Sequence, residues 1–260
     1  NTRLNCRVDG QPVQQLAEVL SSAGDAAYWR MTFPSSTPRF IELDGFNFPF
    51  NGVNIGPNDS IYSPDDFGGA AVTWTFGDSY TQGTGADCMR DTVAGVICDA
   101  LGRVHCADGI GGSGYNSTSP TLLSRVVAAL TPALYCDEVN FLFGYNDASG
   151  DMVALKSNAM AAYNKVRELK PNSRINVFGP WRPNSGSAAL DTVEATILDA
   201  VNTANTANPN LRAKFISTAW MADSLAWPKI NFGDNIHVNQ FGHTMWGLRC
   251  AQKMILAGVA

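Results

Sequence analysis

Histidine and charged residues are scarce in this sequence of 260 residues, which has three histidines and 16% charged residues. The 18 basic and 23 acidic residues give a net charge of -5, so we expect no basic surface for nucleic acid or an anionic membrane. No apolar run reaches the ~18 residues that a membrane-spanning helix needs. The sequence also lacks a P-loop, a His-Glu-x-x-His string, an EF-hand loop and any cysteine pair at zinc-site spacing. We therefore predict no metal, no nucleotide cofactor and no membrane insertion.

The composition is typical of a folded chain. Hydrophobic residues make up 45% of it, and the length suffices for one large domain, or for one domain with a small appendage. The chain begins at Asn1 with neither a Met nor an apolar signal segment, which predicts a processed or excised fragment. The cysteines are even in number, which permits disulfides and a secreted protein without requiring either. They are Cys6, Cys88, Cys98, Cys106, Cys136 and Cys250.

Residues 1–69 differ in character from the rest. Apolar positions between residues 11 and 24 predict a short amphipathic helix. From residue 28 to residue 64, prolines punctuate short apolar runs, and the Asp44-Gly45 and Asn51-Gly52 pairs predict hairpin turns. We therefore predict a small β-rich module over 1–69, followed by a second domain over 70–260.

Strand and helix patterns alternate after residue 70, which predicts an α/β domain with a five-stranded parallel sheet covered on both faces. The predicted strands are 70–76, 103–107, 138–143, 174–178 and 213–218. The predicted helices are 87–101 with Gly102 after its end, a helix capped by Ser119 with Pro120 at its first position, 151–169, 188–205 and 239–256.

The first of these strands ends abruptly in Gly77-Asp78-Ser79. In open α/β sheets ligands bind at the carboxyl ends of the strands, so Ser79 is a candidate nucleophile. Taken alone, the tripeptide fits a polar turn equally well, and Asp78 is better explained as a turn-stabilising carboxylate than as a catalytic one. Three further blocks give it weight, at 109–114, Gly144-Tyr145-Asn146-Asp147 and Asp234-Asn235-Ile236-His237.

A serine hydroxyl needs a base before it can attack, and the sequence offers three histidines. His105 lies inside a predicted strand and His243 inside the last helix, so both favour structural roles. His237 lies in the loop before that helix, three residues after Asp234. Residues three apart in a turn can face each other, so the Asp234 carboxylate could orient the imidazole. A capping or Asx-turn aspartate is the alternative for Asp234.

The four blocks together resemble the SGNH (GDSL-type) hydrolase family over residues 70–256. The resemblance implies a three-layer, flavodoxin-like α/β sandwich, and an esterase, lipase, thioesterase or carbohydrate deacetylase activity. It implies Ser79, His237 and Asp234 as the catalytic triad. It also implies an oxyanion hole made of the Ser79 and Gly112 backbone N–H groups and the Asn146 side chain. One departure is Val238, where the family often has proline. The rival α/β-hydrolase elbow, Gly-x-Ser-x-Gly, lacks its final glycine at Thr81.

Two points in this assignment stay open. Gly111 or Gly114 could replace Gly112, and the glycines of 109–114 could simply form a flexible loop. Trp181, Arg182 and Trp227 follow a predicted strand or precede the Asp-His block, and we expect them to bind substrate at the same rim. Aromatic faces beside polar donors suit a sugar ring, although ordinary core packing would explain the tryptophans as well.

From the resemblance we expect a serine esterase that removes small acyl groups, acetyl above all, from an acylated polysaccharide. The segment 39–53 is similar to the β-rich extension of some carbohydrate-active esterases in the family. The alternatives are a lipid-type esterase or thioesterase, an acyltransferase using the same triad, and a non-catalytic glycan-binding domain. We expect an extracellular protein, either secreted or attached to a virion or cell surface.

Overall fold

A computed structural model describes residues 4–16, 31–45, 53–62, 69–131, 135–184, 187–221 and 225–259. The chain divides into two compact units, residues 1–62 and residues 63–260. The predicted domain boundary after residue 69 stays a prediction. All six cysteines are free thiols.

The first unit contains a three-stranded antiparallel sheet of order β2-β1-β3. Its strands are β1 (Leu4–Val8), β2 (Gln11–Leu16) and β3 (Ile41–Gly45). Asp9 and Gly10 join β1 to β2 with φ values of 53° and 76°. Positive φ at both central residues is the mark of a two-residue type I′ hairpin turn, for which Asp-Gly is a preferred pair.

This hairpin corrects two predictions. The helix predicted from residue 11 is wrong over 11–16, because the Asp9-Gly10 turn returns those residues alongside β1 as a strand. Asp44-Gly45 is not a turn, since Gly45 and Asp44 pair with Leu4 and Asn5 in the sheet. The rest of the predicted helix, residues 17–24, and the Asn51-Gly52 turn lie outside the described residues.

The second unit contains a five-stranded parallel sheet of order β5-β4-β6-β7-β8, which confirms the predicted α/β sandwich. Its strands are β4 (Val72–Gly77), β5 (Val104–Gly109), β6 (Glu138–Leu142), β7 (Arg174–Phe178) and β8 (Lys214–Ile216). In the register of the central strands, Gly77 lies beside Gly109 on one side and Leu142 on the other. Three strands therefore end level with one another, and the loops that follow them start from one rim.

Seven helices lie in the described part of this unit. They are α1 (Ser79–Gln82), α2 (Val93–Ala100), α3 (Leu122–Ala129), α4 (Met152–Leu169), α5 (Ala188–Ala207), α6 (Trp227–Ile230) and α7 (Gln240–Leu256). None of the helices in the described part of the chain is long and apolar enough to cross a bilayer. The predicted helix start at Ser119 is wrong, because the Thr121 hydroxyl caps α3 instead, accepting from the Ser124 N–H at 3.1 Å.

Successive strand residues pack into two separate hydrophobic cores, one on each face of the sheet. Val177 and Phe178 are successive residues of β7, so their side chains point to opposite faces of the sheet. Val177 belongs to the cluster that α3, α4 and α5 cover, whereas Phe178 belongs to the cluster that α2 and α7 cover. Both side chains are fully buried. The sheet is thus sandwiched between two helical layers, and only its rims remain for polar chemistry.

Candidate active site

Ser79 is the first residue of α1, directly after β4 and Asp78. The Asp78 carboxylate is buried and accepts hydrogen bonds from the Tyr80 N–H at 3.0 Å and from the Trp181 indole N–H at 3.2 Å. These bonds fix the strand-to-helix turn, as expected for a turn-stabilising residue. Burial raises the pKa of Asp78 to about 7, against the lowering effect of the two hydrogen bonds. The turn leaves Ser79 partly exposed at the rim.

His237 and Asp234 meet Ser79 at this rim. The His237 Nε2 lies 2.8 Å from the Ser79 Oγ, and its Nδ1 lies 2.5 Å from the Asp234 Oδ2. The geometry fits a neutral imidazole that donates from Nδ1 to the carboxylate and accepts the serine proton at Nε2. The structure thus brings together the three residues that the sequence singled out, from two segments 155 or more positions apart.

Asp234 fulfils both of the roles considered for it. Its Oδ1 accepts from the backbone N–H groups of Ile236 at 2.9 Å and His237 at 2.8 Å, which makes an Asx turn. Its Oδ2 faces the imidazole. Partial burial raises the pKa of Asp234, but the hydrogen bonds from the His237 ring and from the two N–H groups outweigh it and lower the pKa to about 2. The carboxylate is therefore ionised at neutral pH.

An asparagine at each end of the segment holds this loop in shape. The Asn231 Oδ1 accepts from the Gly233 N–H at 2.8 Å, and Asn231 and Val238 form an antiparallel bridge. The Asn239 Nδ2 donates to the Lys229 carbonyl at 3.0 Å, while its Oδ1 caps α7. The loop is thus closed on itself and tied to the last helix. Asparagine at both ends was the sequence signal for this, and our sequence analysis missed it.

Tyr80 contacts the His237 imidazole from the protein interior. Its ring centroid lies 5.3 Å from that of His237, and its hydroxyl donates to the Ile236 carbonyl. The Tyr80 ring stacks on Trp181 at 4.9 Å and on Trp246 at 5.8 Å. His237 therefore rests on a buried aromatic stack, which limits its motion toward the interior.

Three hydrogen-bond donors near Ser79 are available for an oxyanion. Within the described residues, the backbone N–H groups of Ser79 and Gly112 donate to no acceptor. The Asn146 Nδ2 uses one of its hydrogens on the Ser113 carbonyl at 2.9 Å, which leaves the other. Gly112 takes a φ of +74°, and a Cβ placed on neighbouring Gly111 would lie 3.8 Å from the Ser79 Cβ. The glycine loop therefore runs directly beside the serine.

Hydrogen bonding distinguishes Gly112 from the other two glycines considered. The Gly111 N–H donates to the Gln82 Oε1 at 2.8 Å, and the Gly114 N–H donates to the Ser117 Oγ at 2.8 Å. Both N–H groups are occupied, whereas that of Gly112 is not. The loop is also fixed rather than loose, because a Cβ at Gly114 would lie 2.5 Å from a carboxylate oxygen of Asp147.

Asp147 is the residue that clamps this loop, and sequence reasoning missed its role. Its buried carboxylate accepts from the backbone N–H groups of Tyr115 at 3.0 Å and Asn116 at 2.9 Å. Burial raises its pKa, against those two hydrogen bonds. Because Asp147 follows Asn146, the same turn both supplies the amide and holds the glycine loop.

Three residues expected to bind substrate are buried instead. Trp181 is 1% exposed within the aromatic stack, and Trp227 is 6% exposed in the same core cluster. Arg182 is 4% exposed and ion-paired with Asp191 and Glu194, at 2.6 Å in each case. This corrects the expectation, since a buried ring face cannot stack on a sugar. The strand end was read correctly, but the sequence gives no sign of which side its tryptophan faces.

The other two histidines have structural positions, as expected. His243 is fully buried in α7, where its Nδ1 accepts from the Val93 N–H at 3.1 Å and its Nε2 lies 2.9 Å from the Thr84 carbonyl. Burial lowers its pKa to about 4, so the imidazole is neutral at pH 7. His105 lies in the edge strand β5. Among the described residues, no cluster of His, Cys, Asp and Glu could hold a metal ion.

Solved structures share this fold at low sequence identity. A family two carbohydrate esterase from Clostridium thermocellum, in complex with cellohexaose, has a TM-score of 0.72 at 16% identity, covering 100% of this chain and 87% of that chain. A family 3 carbohydrate esterase from Clostridium thermocellum has a TM-score of 0.56 at 18% identity, covering 72% and 96%. The psychrotrophic esterase EstA from Pseudoalteromonas sp. has a TM-score of 0.55 at 16% identity, covering 72% and 98%. These likenesses show the fold.

The sequence itself carries the family assignment. No curated protein matches the chain significantly. Residues 75–245 match the GDSL-like Lipase/Acylhydrolase family, and this range runs from β4 through Ser79, Asn146 and His237 into α7. The expected resemblance is thereby confirmed, and the chain belongs to the GDSL-like lipase/acylhydrolase family.

Proposed function

We propose that this GDSL-like hydrolase is a serine esterase that removes small acyl groups, acetyl above all, from a polysaccharide. The observation that carries the proposal is the hydrogen-bonded series from Ser79 through His237 to Asp234, with spans of 2.8 and 2.5 Å. In it His237 takes the Ser79 proton as the Oγ attacks the ester carbonyl, and the ionised Asp234 stabilises the imidazolium. An acyl-enzyme forms and the alcohol leaves with that proton. Water then gives a proton to His237 and attacks the acyl carbonyl, the bond to Oγ breaks, the acid is released and Ser79 recovers the proton.

The developing negative charge on the carbonyl oxygen needs preorganised donors. The unoccupied N–H groups of Ser79 and Gly112 and the second amide hydrogen of Asn146 are suited to this task. Water still reaches the triad, because the Asp234 side chain is 40% exposed and that of His237 16% exposed. Such an open site fits an ester displayed on the surface of a polymer.

Carbohydrate as the substrate class rests on the structural neighbours. Two of the proteins that share this fold are carbohydrate esterases by description, and one was solved with cellohexaose bound. An acylated polysaccharide substrate goes with an extracellular location, which cell fractionation of the producing organism would test.

Lipid-type esters are the second candidate substrate. Phe232 and Ile236 flank Asp234 in the same loop and are 55% and 37% exposed. These apolar side chains beside the triad could accept an acyl chain longer than acetyl.

Acetate release from acetylated polysaccharides, with p-nitrophenyl acetate as a surrogate, tests the first proposal. Ser79→Ala should lower kcat on the order of 10⁴- to 10⁶-fold and abolish labelling by a fluorophosphonate probe. His237→Gln should do nearly as much, whereas His105→Gln, the same change in the edge strand, should leave turnover in place. Turnover in Ser79→Ala equal to that of the parent enzyme would rule the proposal out. A preference for octanoyl over acetyl surrogates would favour the lipid-type alternative.

A further inference from the structure

Arg125 of α3 is a buried guanidinium that the steps above do not use. It is 4% exposed, and its Nη1 donates to the Ser113 Oγ at 2.9 Å. Its Nη2 donates to the Gly77 carbonyl at 2.9 Å and to the Asp108 carbonyl at 2.5 Å, and its Nε lies 3.2 Å from the Asp108 Oδ2. The guanidinium also lies over the ring of Phe143, 5.2 Å from its centroid.

Each of these partners belongs to a segment that carries part of the site. Gly77 ends β4, two residues before Ser79, and Asp108 lies at the end of β5. Ser113 follows Gly112, and its carbonyl accepts the Asn146 amide at 2.9 Å. A single side chain therefore joins the nucleophile strand, the glycine loop and, through Ser113, the Asn146 amide.

Packing alone does not explain a guanidinium in this position. Removing a charge from water is costly, and an apolar side chain of similar volume would fill the space without that cost. A planar fork of five N–H donors, in contrast, can bind several acceptors in fixed directions at once. Lysine, a flexible point charge, could not reproduce that pattern.

We propose that Arg125 is a positioning residue for the oxyanion hole, setting the distance of the Gly112 N–H and the Asn146 amide from Ser79 through its bond to Ser113. This inference rests on the proposed esterase function. Because the donors matter most when the oxyanion forms, the loss of Arg125 should lower kcat and leave KM nearly unchanged.

A double-mutant cycle between Arg125→Lys and Asn146→Ala tests the coupling. We expect Arg125→Lys to lower kcat roughly 10- to 100-fold, because displacements near 1 Å at such sites have effects of that order. In an Asn146→Ala background the same change should cost clearly less than in the parent enzyme, because only its effect on the Gly112 N–H is left. If the kcat of the double variant falls by the product of the two single-variant losses, the residues act independently and the proposal is overturned. An unchanged kcat in folded Arg125→Lys would overturn it as well.

Arg103→Lys is the matched control. Arg103 is also buried and donates to a carboxylate, that of Glu138, at the opposite end of the sheet. The Arg103→Lys substitution should lower the melting temperature and leave kcat unchanged. If Arg125→Lys does not fold, Ser113→Ala takes its place in the cycle with the same expected coupling. It removes the hydroxyl that Arg125 binds, which also donates to the Ile110 carbonyl at 2.6 Å.

An NMR readout separates this inference from the esterase proposal. The side-chain amide resonances of Asn146 should shift in Arg125→Lys and stay in place in Arg103→Lys, whatever the substrate. Unshifted resonances in a folded Arg125→Lys protein would overturn the positioning role even if the esterase is active. An inactive parent enzyme with shifted resonances would instead count against the esterase alone.

Discussion

At the amino end of the parallel sheet, the buried carboxylate of Glu138 lies between two arginines. Arg103 donates to its Oε1, and the Arg174 Nε lies 3.4 Å from its Oε2. At the carboxyl end, the equally buried carboxylate of Asp78 has no cation partner within the described residues and accepts only from an N–H group and an indole. The charges of Glu138 and its two arginines offset one another, whereas the Asp78 carboxylate holds a turn in place.

The two ends differ because only the carboxyl end has to keep hydrogen-bond donors free for a ligand. At the amino end the Glu138 charge is compensated by the two arginines, so this arrangement contributes to stability alone. At the carboxyl end the Ser79 and Gly112 N–H groups donate to no acceptor among the described residues, and Asp147 holds the glycine loop from one step away. From this contrast we expect substitutions at the carboxyl end to lower turnover, and substitutions at the amino end to lower stability.

After substitution of Ser79 or His237, the largest effect should come from Asp234→Asn. The substitution removes the negative charge that orients and stabilises the imidazolium, so kcat should fall about 10⁴-fold, equivalent to about 5.4 kcal/mol. Steady-state hydrolysis of p-nitrophenyl acetate measures it. Asp199→Asn, which removes a surface carboxylate 2.7 Å from Lys156, serves as the control and should leave kcat within 2-fold or so of the parent value. Equal kcat values for Asp234→Asn and Asp199→Asn would contradict the expectation that substitutions at the carboxyl end lower turnover.

Glu138→Gln should have the next largest effect, and on stability. It leaves Arg103 buried without a countercharge, and we expect the free energy of unfolding to fall by about 3–5 kcal/mol. Urea unfolding followed by circular dichroism gives this value, with kcat of the folded fraction unchanged. The control is Glu168→Gln, an exposed partner of Lys165, which should cost less than about 1 kcal/mol. A drop in kcat without a drop in stability would contradict the assignment.

Asn146→Ala should lower kcat about 10²- to 10³-fold, because it removes one donor to the oxyanion. Asn205 offers a matched control, since its Nδ2 donates to the Ala213 carbonyl at 2.9 Å between α5 and β8, away from the rim. Asn205→Ala should lower the melting temperature instead. Kinetics should therefore show a loss for Asn146→Ala only, and thermal unfolding should show a loss for Asn205→Ala.

The effect at Asp78 is the smallest at any one pH step, and concerns the pH dependence of stability. Its pKa is raised to about 7 in the folded protein, mainly by burial, so between about pH 4 and pH 7 the native state binds more protons than the unfolded chain. Its contribution to stability therefore falls as the pH rises through that window. Asp78→Asn should remove a slope of about 1.4 kcal/mol per pH unit, measured by urea unfolding at several pH values. Parallel curves for the two proteins would show that this carboxyl does not titrate there.

Much of the second unit could be predicted from local patterns. β7 was predicted with its observed bounds, and the proximity of Ser79, His237 and Asp234 followed from the one histidine that is outside a regular element. The N-terminal helix failed because Asp9-Gly10 bends the chain into a hairpin, and tertiary pairing with β1 then overrides the helical pattern of 11–16.

Predictions also failed where the role of a residue depended on the direction of its side chain. Trp181 and Arg182 were placed at the right strand end, but Trp181 is buried by packing against the distant α7 and Arg182 by ion pairs with α5, and local spacing shows neither. The clamp by Asp147 and the fork of Arg125 join segments from 12 to 48 residues apart, and no local spacing reveals such contacts.

The indoles of Trp181 and Trp246 lie 5.8 Å apart with an interplanar angle of 3°. Two chromophores this close share their excited states, so the pair should give a bisignate circular dichroism band that isolated tryptophans lack. Since Tyr80 contacts both the pair and the His237 ring, we expect that optical signal to change when the imidazole moves.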